Sequence, residues 1–198
     1  MPGDPTLLFF TRDEHAVIEA ACERLIPAVD GDPGEWHPGA RHLGVADYLD
    51  GMLGAFAVDP PRIWAGGPFS GRFGGEASFS DFLPLSRLEE LAWRTRIEGS
   101  QGIPEREFNG PVAGWQQEYR DGLAALGADY SGLDAATQDA RLDAAPAFKA
   151  LLYRHACEGA YGAPEYGGNR DQQGWVAIGY PGDVQPRGFT DDEVSGRA

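Results

Sequence analysis

The sequence predicts an all-α protein, an irregular bundle of five or six helices joined by long loops. Apolar residues recur at intervals of three and four in several segments, which is typical of amphipathic helices. No segment alternates in the manner of a strand, and there is no internal repeat. The 28 glycines and 15 prolines among 198 residues indicate long loops rich in defined turns. At this length we expect a single helical domain over residues 1–198.

A capping box and an apolar stripe predict the first two helices. Thr11 can accept from the first-turn amides and Glu14 can reach back, so a helix begins here. It ends near Ile26 because Pro27 disfavours continuation. A second helix is predicted over residues 40–56 in spite of three glycines, each of which weakens a helix by up to ~1 kcal/mol. Its stripe consists of Val45, Tyr48, Leu49, Met52, Leu53 and Phe56.

Four further helices complete the predicted bundle. The third of these is expected to have Asp134 as its N-cap. The last of them ends at Gly159, and no further long element is predicted beyond it. The four helices are expected over residues 87–98, 110–126, 134–142 and 147–159. The most regular apolar stripe, in the second of them, joins Val112, Trp115, Tyr119, Leu123 and Leu126.

Residues 57–86 are predicted to form an extended arm. The segment has neither helical nor strand periodicity, yet it carries Trp64, Phe69 and Phe73 among its glycines. Aromatic residues are scarce in disordered linkers, so the arm is expected to lie ordered against a surface. That surface is either the chain's own bundle or a second chain, and the sequence leaves both open.

Residues 160–198 are predicted to form a docking loop and tail after the last helix. Glycines alternate here with Tyr, Trp, Asn, Arg and Asp. Glycine permits positive φ and close approach, while Tyr and Trp offer a large contact area at low entropic cost. As structure alone, the segment closes over the last helix, and this is compatible with a surface that binds a partner.

The composition argues against several classes of partner. The 31 acidic and 16 basic residues give a net charge of -15, which repels nucleic-acid phosphates and anionic membranes. No apolar run approaches transmembrane length. We therefore expect neither nucleic-acid binding nor membrane insertion. Five Trp, seven Tyr and ten Phe exceed what one modest core needs, and aromatic residues are enriched in protein interfaces.

The cysteines and the N-terminus bear on the compartment. Cys22 and Cys157 belong to no C-x-x-C pair and are expected to be small buried thiols. The N-terminus has no basic region followed by a long apolar one, so a cytoplasmic location is expected if Met1 is the native start. The protein would be periplasmic if its native start lay upstream or if a partner carried the export signal.

The residue types of a reactive centre occur without a recognisable arrangement. The Gly-rich run over residues 66–75 has neither the Walker nor the dinucleotide-binding spacing, and no strand precedes it. The four histidines belong to no Glu-x-x-His pair, and no nucleophile elbow occurs, so no metal or cofactor is expected in this chain. His155 is the one catalytic candidate. It is either a hydrogen-bonded core residue or a group that reaches a partner or its active site.

Several short motifs give the chain a family resemblance. The most specific ones follow the last predicted helix and consist of Tyr166-Gly167-Gly168-Asn169-Arg170-Asp171, Gly174-Trp175 and Gly179-Tyr180-Pro181-Gly182. Weaker ones precede them, namely Glu23-Arg24-Leu25-Ile26-Pro27, Gly39-Ala40, Gly44-Val45, Asp47-Tyr48-Leu49-Asp50, Tyr119-Arg120, Gly122-Leu123, Glu158-Gly159 and Tyr161-Gly162. In this order the chain resembles the gluconate 2-dehydrogenase subunit 3 family over most of its length.

The resemblance implies a non-catalytic small subunit that binds and stabilises a large FAD-dependent dehydrogenase of the glucose-methanol-choline type. The partner would hold the FAD, oxidise a sugar, alcohol or glycoside, and pass electrons onward, with cytochrome c as one candidate acceptor. Family members commonly carry a twin-arginine signal, which is not visible here. The expected partner-binding residues are Trp64, Phe69, Arg72, Phe73, Tyr161, Tyr166, Asn169, Arg170, Asp171, Trp175 and Tyr180.

Two alternatives stay open beside this hypothesis. The chain is an oxidoreductase itself or contributes residues to a shared active site, with His155, Asn169, Arg170 and Asp171 as candidates. The other alternative is a transient chaperone that releases the flavoprotein after maturation. A stable stoichiometric complex would favour the stabilising subunit over the transient chaperone. Turnover by the large subunit without this chain would favour the stabilising subunit over the shared active site.

Overall fold

The structure, a computed structural model, describes residues 6–31, 35–65 and 84–181. The described residues are mostly helical, which confirms the predicted all-α class. The helices are α1 (Arg12–Leu25), α2 (Gly39–His42), α3 (Val45–Leu53), α4 (Arg87–Glu98), α5 (Trp115–Leu126), α6 (Ala135–Ala144), α7 (Pro146–Tyr161) and α8 (Gln173–Ala177). Short 3₁₀ turns lie at Pro104–Arg106, Tyr130–Gly132, Pro164–Tyr166 and Arg170–Gln172.

The core lies where α1, α3, α5 and α6 pack around α7, which at 16 residues is the longest described helix. The apolar stripes meet here because each amphipathic helix turns its apolar face away from water. The fully buried side chains that α1, α3, α5 and α7 contribute include Ile18, Leu49, Tyr119 and Leu152. Cys22 also lies in this core, where burial raises the pKa of its thiol. Cys157 is partly buried, and both cysteines are free.

The predicted caps are present. The Thr11 hydroxyl accepts from the Glu14 amide at 3.3 Å, and the Glu14 carboxylate accepts from the Thr11 amide at 2.8 Å. Asp134 accepts from the Thr137 amide at 3.1 Å at the start of α6. These caps satisfy amides that have no partner within their own helices. A second capping box, at Ser86 before α4, had not been predicted.

The prediction of one continuous helix over residues 40–56 is wrong. The chain forms α2, breaks at Leu43 and Gly44, and resumes as α3. Gly44 has φ +69°, a left-handed conformation that glycine adopts without strain. Its missing Cβ also leaves room for the side chain of Arg170, which packs against it. The interruption therefore serves a contact with a distant part of the chain.

The helix expected over residues 110–126 begins late, at Trp115. Gly114 has φ +79°, and its backbone lies against that of Gly99 at the end of α4, where a side chain would collide. Val112 thus falls outside α5 and is exposed, whereas Tyr119, Leu123 and Leu126 are buried as the stripe predicted. Leu88 on α4 is also exposed.

A minimal sheet joins the loop after α1 to the start of α2. In it, β1 (Ala28–Val29) and β2 (His37–Pro38) pair antiparallel, with Ala28 opposite Pro38. Two residues per strand are too few to show alternation in the sequence, so this pairing was not predicted. Most of the expected arm, residues 66–83, lies outside the described residues, and so does the tail after residue 181.

Candidate partner-binding site

The loop that follows α7 is closed by the side chain of Asn169. This residue is fully buried, and its Nδ2 atom donates to the Gly162 carbonyl at 2.8 Å. Its Oδ1 atom accepts from the Gly174 amide at 2.9 Å. One side chain thereby bridges the two ends of the loop. Asn169 has φ 46°, in the left-handed region that asparagine tolerates better than most residues.

Trp175 fixes the end of this loop to α7. Its side chain is buried, and its indole nitrogen donates to the Tyr161 carbonyl at 2.7 Å. Tyr161 is the last residue of α7, where carbonyls lack helical partners. Gly174 packs directly on the Ala160 carbonyl, which leaves no room there for a side chain. Asn169 and Trp175 therefore bind within the chain and shape the loop.

Arg170 ties the loop to α3. Its guanidinium pairs with Asp47, and its amide donates to the Leu43 carbonyl at 3.3 Å. Asp47 also accepts from the Nε2 atom of His15 at 2.9 Å. The hydrogen bond from His15, with the charge of Arg170, holds the pKa of Asp47 below its usual value. The same hydrogen bond raises the pKa of His15.

Four apolar side chains in the segment after α7 are exposed to solvent. Val176 is 61% exposed, Ile178 55%, Tyr180 46% and Tyr166 39%. The ring of Tyr180 packs edge-on against Trp175 at 5.2 Å, which links the exposed face to the buried anchor. We call Tyr166, Val176, Ile178 and Tyr180 the apolar rim. Such a group of exposed apolar residues is typical of a protein-binding surface.

A cleft of about 660 Å³ opens beside the apolar rim. It lies between α3, α4, α5, α7 and the turn at Pro164–Tyr166, and we call it the tryptophan cleft. Trp64 reaches it from the loop after α3, and its ring contacts that of Tyr166 at 5.5 Å. Its lining includes Asp47, Tyr48, Arg62, Trp64, Trp93, Arg96, Trp115, Arg154, His155, Glu158, Glu165 and Tyr166.

His155 lies in the wall of the tryptophan cleft and is 1% exposed. Its Nδ1 atom is 3.1 Å from the Tyr119 hydroxyl, and its ring packs on Trp115 at 4.5 Å. Its Nε2 atom has no hydrogen-bond partner among the described residues. Burial, with the charge of neighbouring Arg154, lowers the pKa of His155 to about 4. The imidazole is therefore neutral at pH 7 and a weak base.

The structure separates the predicted site residues by position. Tyr166 and Tyr180 are on the apolar rim, Trp64 is in the tryptophan cleft, and Asp171 is exposed on the 3₁₀ turn. Tyr161 is partly buried, and its hydroxyl is 3.0 Å from His37 Nε2. Phe69, Arg72 and Phe73 lie outside the described residues. Partner binding by any of these residues stays a prediction.

Sequence reasoning missed much of the cleft and half of the apolar rim. Trp93 and Arg96 stand three apart on α4 and so share a face, a spacing that could have revealed them. The Arg96 guanidinium lies 4.9 Å from the Trp93 ring and 5.7 Å from the Trp115 ring. Val176 and Ile178 gave no signal, because single apolar residues in a short loop are common in any protein.

The comparisons with known proteins bear on this site. The sequence model of the family described as gluconate 2-dehydrogenase subunit 3 matches residues 12–182. The chain belongs to this family. The resemblance noted from the motifs is thereby confirmed, and membership in a family of dehydrogenase subunits implies a partner subunit. No curated protein and no solved structure matches the chain.

Two further observations on the described residues of this subunit 3 chain concern metal ligands and helix length. Nowhere in residues 6–31, 35–65 and 84–181 do three or more His, Cys, Asp or Glu side chains gather in a way that could hold a metal ion. None of the helices in these ranges combines the length and the apolar character needed to cross a bilayer.

Proposed function

We propose that this chain is a non-catalytic small subunit that binds and stabilises a large FAD-dependent dehydrogenase acting on a sugar, an alcohol or a glycoside. The apolar rim carries the proposal: four exposed apolar side chains on a loop that its own hydrogen bonds hold in place. Because the loop is already ordered, binding through it loses little conformational entropy. Family membership supports the kind of partner.

The FAD is proposed to reside in the partner. Dinucleotide-binding units place a Gly-rich turn between a strand and a helix, so that amides face the pyrophosphate. In the described part of this chain the strands are two residues long, and neither leads into such a turn. These residues do not form a dinucleotide-binding unit of this kind. Electrons would pass from the partner's flavin to a further acceptor, for which cytochrome c is one candidate.

The test is affinity purification of the tagged chain from its native cells. We expect a stoichiometric complex with one large subunit and the absorption spectrum of a bound flavin. A haem spectrum in the same fraction would identify the acceptor as a cytochrome. Recovery of the chain as a stable monomer, with no flavoprotein bound, would contradict the proposal. Loss of the complex after maturation would favour a transient chaperone instead.

A shared active site is the second candidate function, and the unpartnered Nε2 atom of His155 favours it. The pKa of about 4 weighs against it, because a general base works best when its pKa is near the operating pH. Turnover by a complex that carries His155→Phe distinguishes the two. Full flavin content with lost turnover would favour the shared site, whereas unchanged kcat would favour the non-catalytic subunit.

A further inference from the structure

The tryptophan cleft contains a hydrogen-bond donor whose partner is missing among the described residues. Tyr119 is fully buried, and its hydroxyl has one partner there, the Nδ1 atom of His155. A neutral imidazole carries one proton, on either nitrogen, and a hydroxyl has one proton to donate. No other acceptor for the Tyr119 proton occurs among the described residues, so it goes to Nδ1. The imidazole proton is then on Nε2, which makes this unpaired atom a donor.

Positive charge accompanies this donor at one end of the cleft. Arg154 precedes His155 on α7 and is exposed, and Arg96 lies over Trp115, whose ring contacts His155. Neither arginine forms an ion pair within the described residues, and the same is true of Arg62, which also lines the cleft. Most other described arginines do form ion pairs: Arg24, Arg41, Arg94, Arg106, Arg120, Arg141 and Arg170.

Asp47 and Glu158, two of the carboxylates that line the cleft, have hydrogen-bond partners other than these arginines. Asp47 is paired with His15 and Arg170 on the α3 wall. Glu158 accepts from the Tyr48 hydroxyl at 3.3 Å, and Glu165 lies beside Tyr166 in the 3₁₀ turn. We call the part of the cleft around His155 the donor end, and it combines an N–H group, the guanidinium groups of Arg154 and Arg96 and the rings of Trp93 and Trp115. A group that complements this end would be a negatively charged hydrogen-bond acceptor on a short apolar stem.

We propose that the donor end of the tryptophan cleft binds a carboxylate side chain on a protruding segment of the dehydrogenase subunit. The Nε2–H group of His155 and the guanidinium of Arg154 donate to the carboxylate oxygens, and Trp115 packs against its stem. A buried carboxylate that accepts charge-assisted hydrogen bonds is a strong anchor for an interface. The inference rests on the proposed function, and it names a contact of the partner in the cleft that Tyr166 of the apolar rim also lines.

The test measures the dissociation rate of the purified complex, followed by exchange with fluorescently labelled wild-type chain. We expect His155→Phe and Arg154→Met each to speed dissociation about 10- to 100-fold. His155→Gln keeps an N–H donor near the position of Nε2 and should retain more affinity than His155→Phe. The matched control is Arg87→Met, an exposed arginine on α4 outside the cleft, which should leave the rate unchanged.

The outcomes separate this inference from the function on which it rests. If the wild-type chain forms no complex with a flavoprotein, the proposed function fails and the inference fails with it. If the complex forms and the His155 and Arg154 variants dissociate at the wild-type rate, only the inference is overturned. A double variant should show less than the product of the two single effects, because both groups hold one carboxylate.

Other occupants of the cleft would appear as different results, and each would overturn the proposal. Quenching of tryptophan fluorescence by sodium benzoate, lost in Arg154→Met while dissociation of the complex is unchanged, would indicate a site for free carboxylates. A wild-type dimer in sedimentation that Arg154→Met breaks would indicate a second copy. A large loss of stability in the isolated Arg154→Met chain, with unchanged dissociation, would assign the cleft to a segment of this chain itself.

Discussion

At the scale of single residues, Asn169 determines the shape of the C-terminal loop most directly. Replacing it with alanine leaves the Gly162 carbonyl and the Gly174 amide without partners, at about 1–3 kcal/mol for each buried group. We expect Asn169→Ala to lower the free energy of unfolding by about 2–4 kcal/mol in urea titrations. Asn109→Ala, in an exposed loop, is the control and should change it by less than about 0.5 kcal/mol. Equal effects of the two would contradict this role.

His155 should make stability fall as the pH falls. Its folded pKa of about 4 is below the ordinary value of 6.5, so between these values the unfolded chain binds more protons. The difference corresponds to about 3 kcal/mol, present above pH 6.5 and lost as the pH approaches 4. The free energy of unfolding at pH 7 and at pH 4.5 should therefore differ less in His155→Phe than in the wild type.

The control for this loss of stability at low pH is His42→Phe, since His42 is exposed on α2. It should keep the full wild-type difference between the two pH values. His155→Phe also removes the hydrogen-bond partner of Tyr119, which shifts the free energy of unfolding equally at both pH values. The informative quantity is therefore the difference in the free energy of unfolding between pH 7 and pH 4.5. An unchanged difference in His155→Phe would mean that other groups cause the loss of stability at low pH.

At the scale of elements, the break between α2 and α3 holds the C-terminal loop in place. A side chain at Gly44 would be strained at φ +69° and would displace Arg170 from Asp47. We expect Gly44→Ala to destabilise the fold by about 1–3 kcal/mol and to expose Trp175, seen as a red shift of its fluorescence. Gly51→Ala on α3 is the matched control.

Gly51 has no atom near its missing Cβ and lies within a helix, so alanine there should stabilise by up to about 1 kcal/mol. Opposite signs for the two substitutions would demonstrate that the glycines in this segment have different roles. A stabilising Gly44→Ala would mean that a continuous helix is compatible with the fold, and that Arg170 has another acceptable position.

At the scale of the whole molecule, the apolar rim should carry the assembly. A charge at Ile178, 55% exposed, would have to be buried without a partner in the interface. We expect Ile178→Asp to weaken the complex with the dehydrogenase subunit about 10- to 100-fold, measured by isothermal titration or by exchange. The melting temperature of the isolated chain should stay unchanged, because this side chain already faces water.

Leu88→Asp is the control for the assembly experiment. Leu88 is 73% exposed on α4, away from the apolar rim, so a charge there should leave the affinity unchanged. If Leu88→Asp weakened the complex and Ile178→Asp did not, the docking surface would lie on α4. The test thus locates the surface as well as testing it.

The sequence alone predicted what depends on neighbours in the chain. The caps at Thr11 and Asp134 need residues three apart, and the stripe from Tyr119 to Leu126 needs only the helical period. The all-α class and the family motifs followed from such local patterns. The motifs also mark the segment that carries the apolar rim, although the exposed Val176 and Ile178 lay outside the predicted site.

Only the tertiary structure decided what depends on distant contacts. Arg170 meets Asp47 from 123 residues away, so the break at Gly44 has no local signal. The inward position of Asn169 depends on how the loop folds back on α7. The unpaired Nε2 atom of His155 is known only once α5 brings Tyr119 to the other ring nitrogen. Local periodicity tells which face of a helix is apolar, but contacts between helices determine which polar atoms remain for a partner.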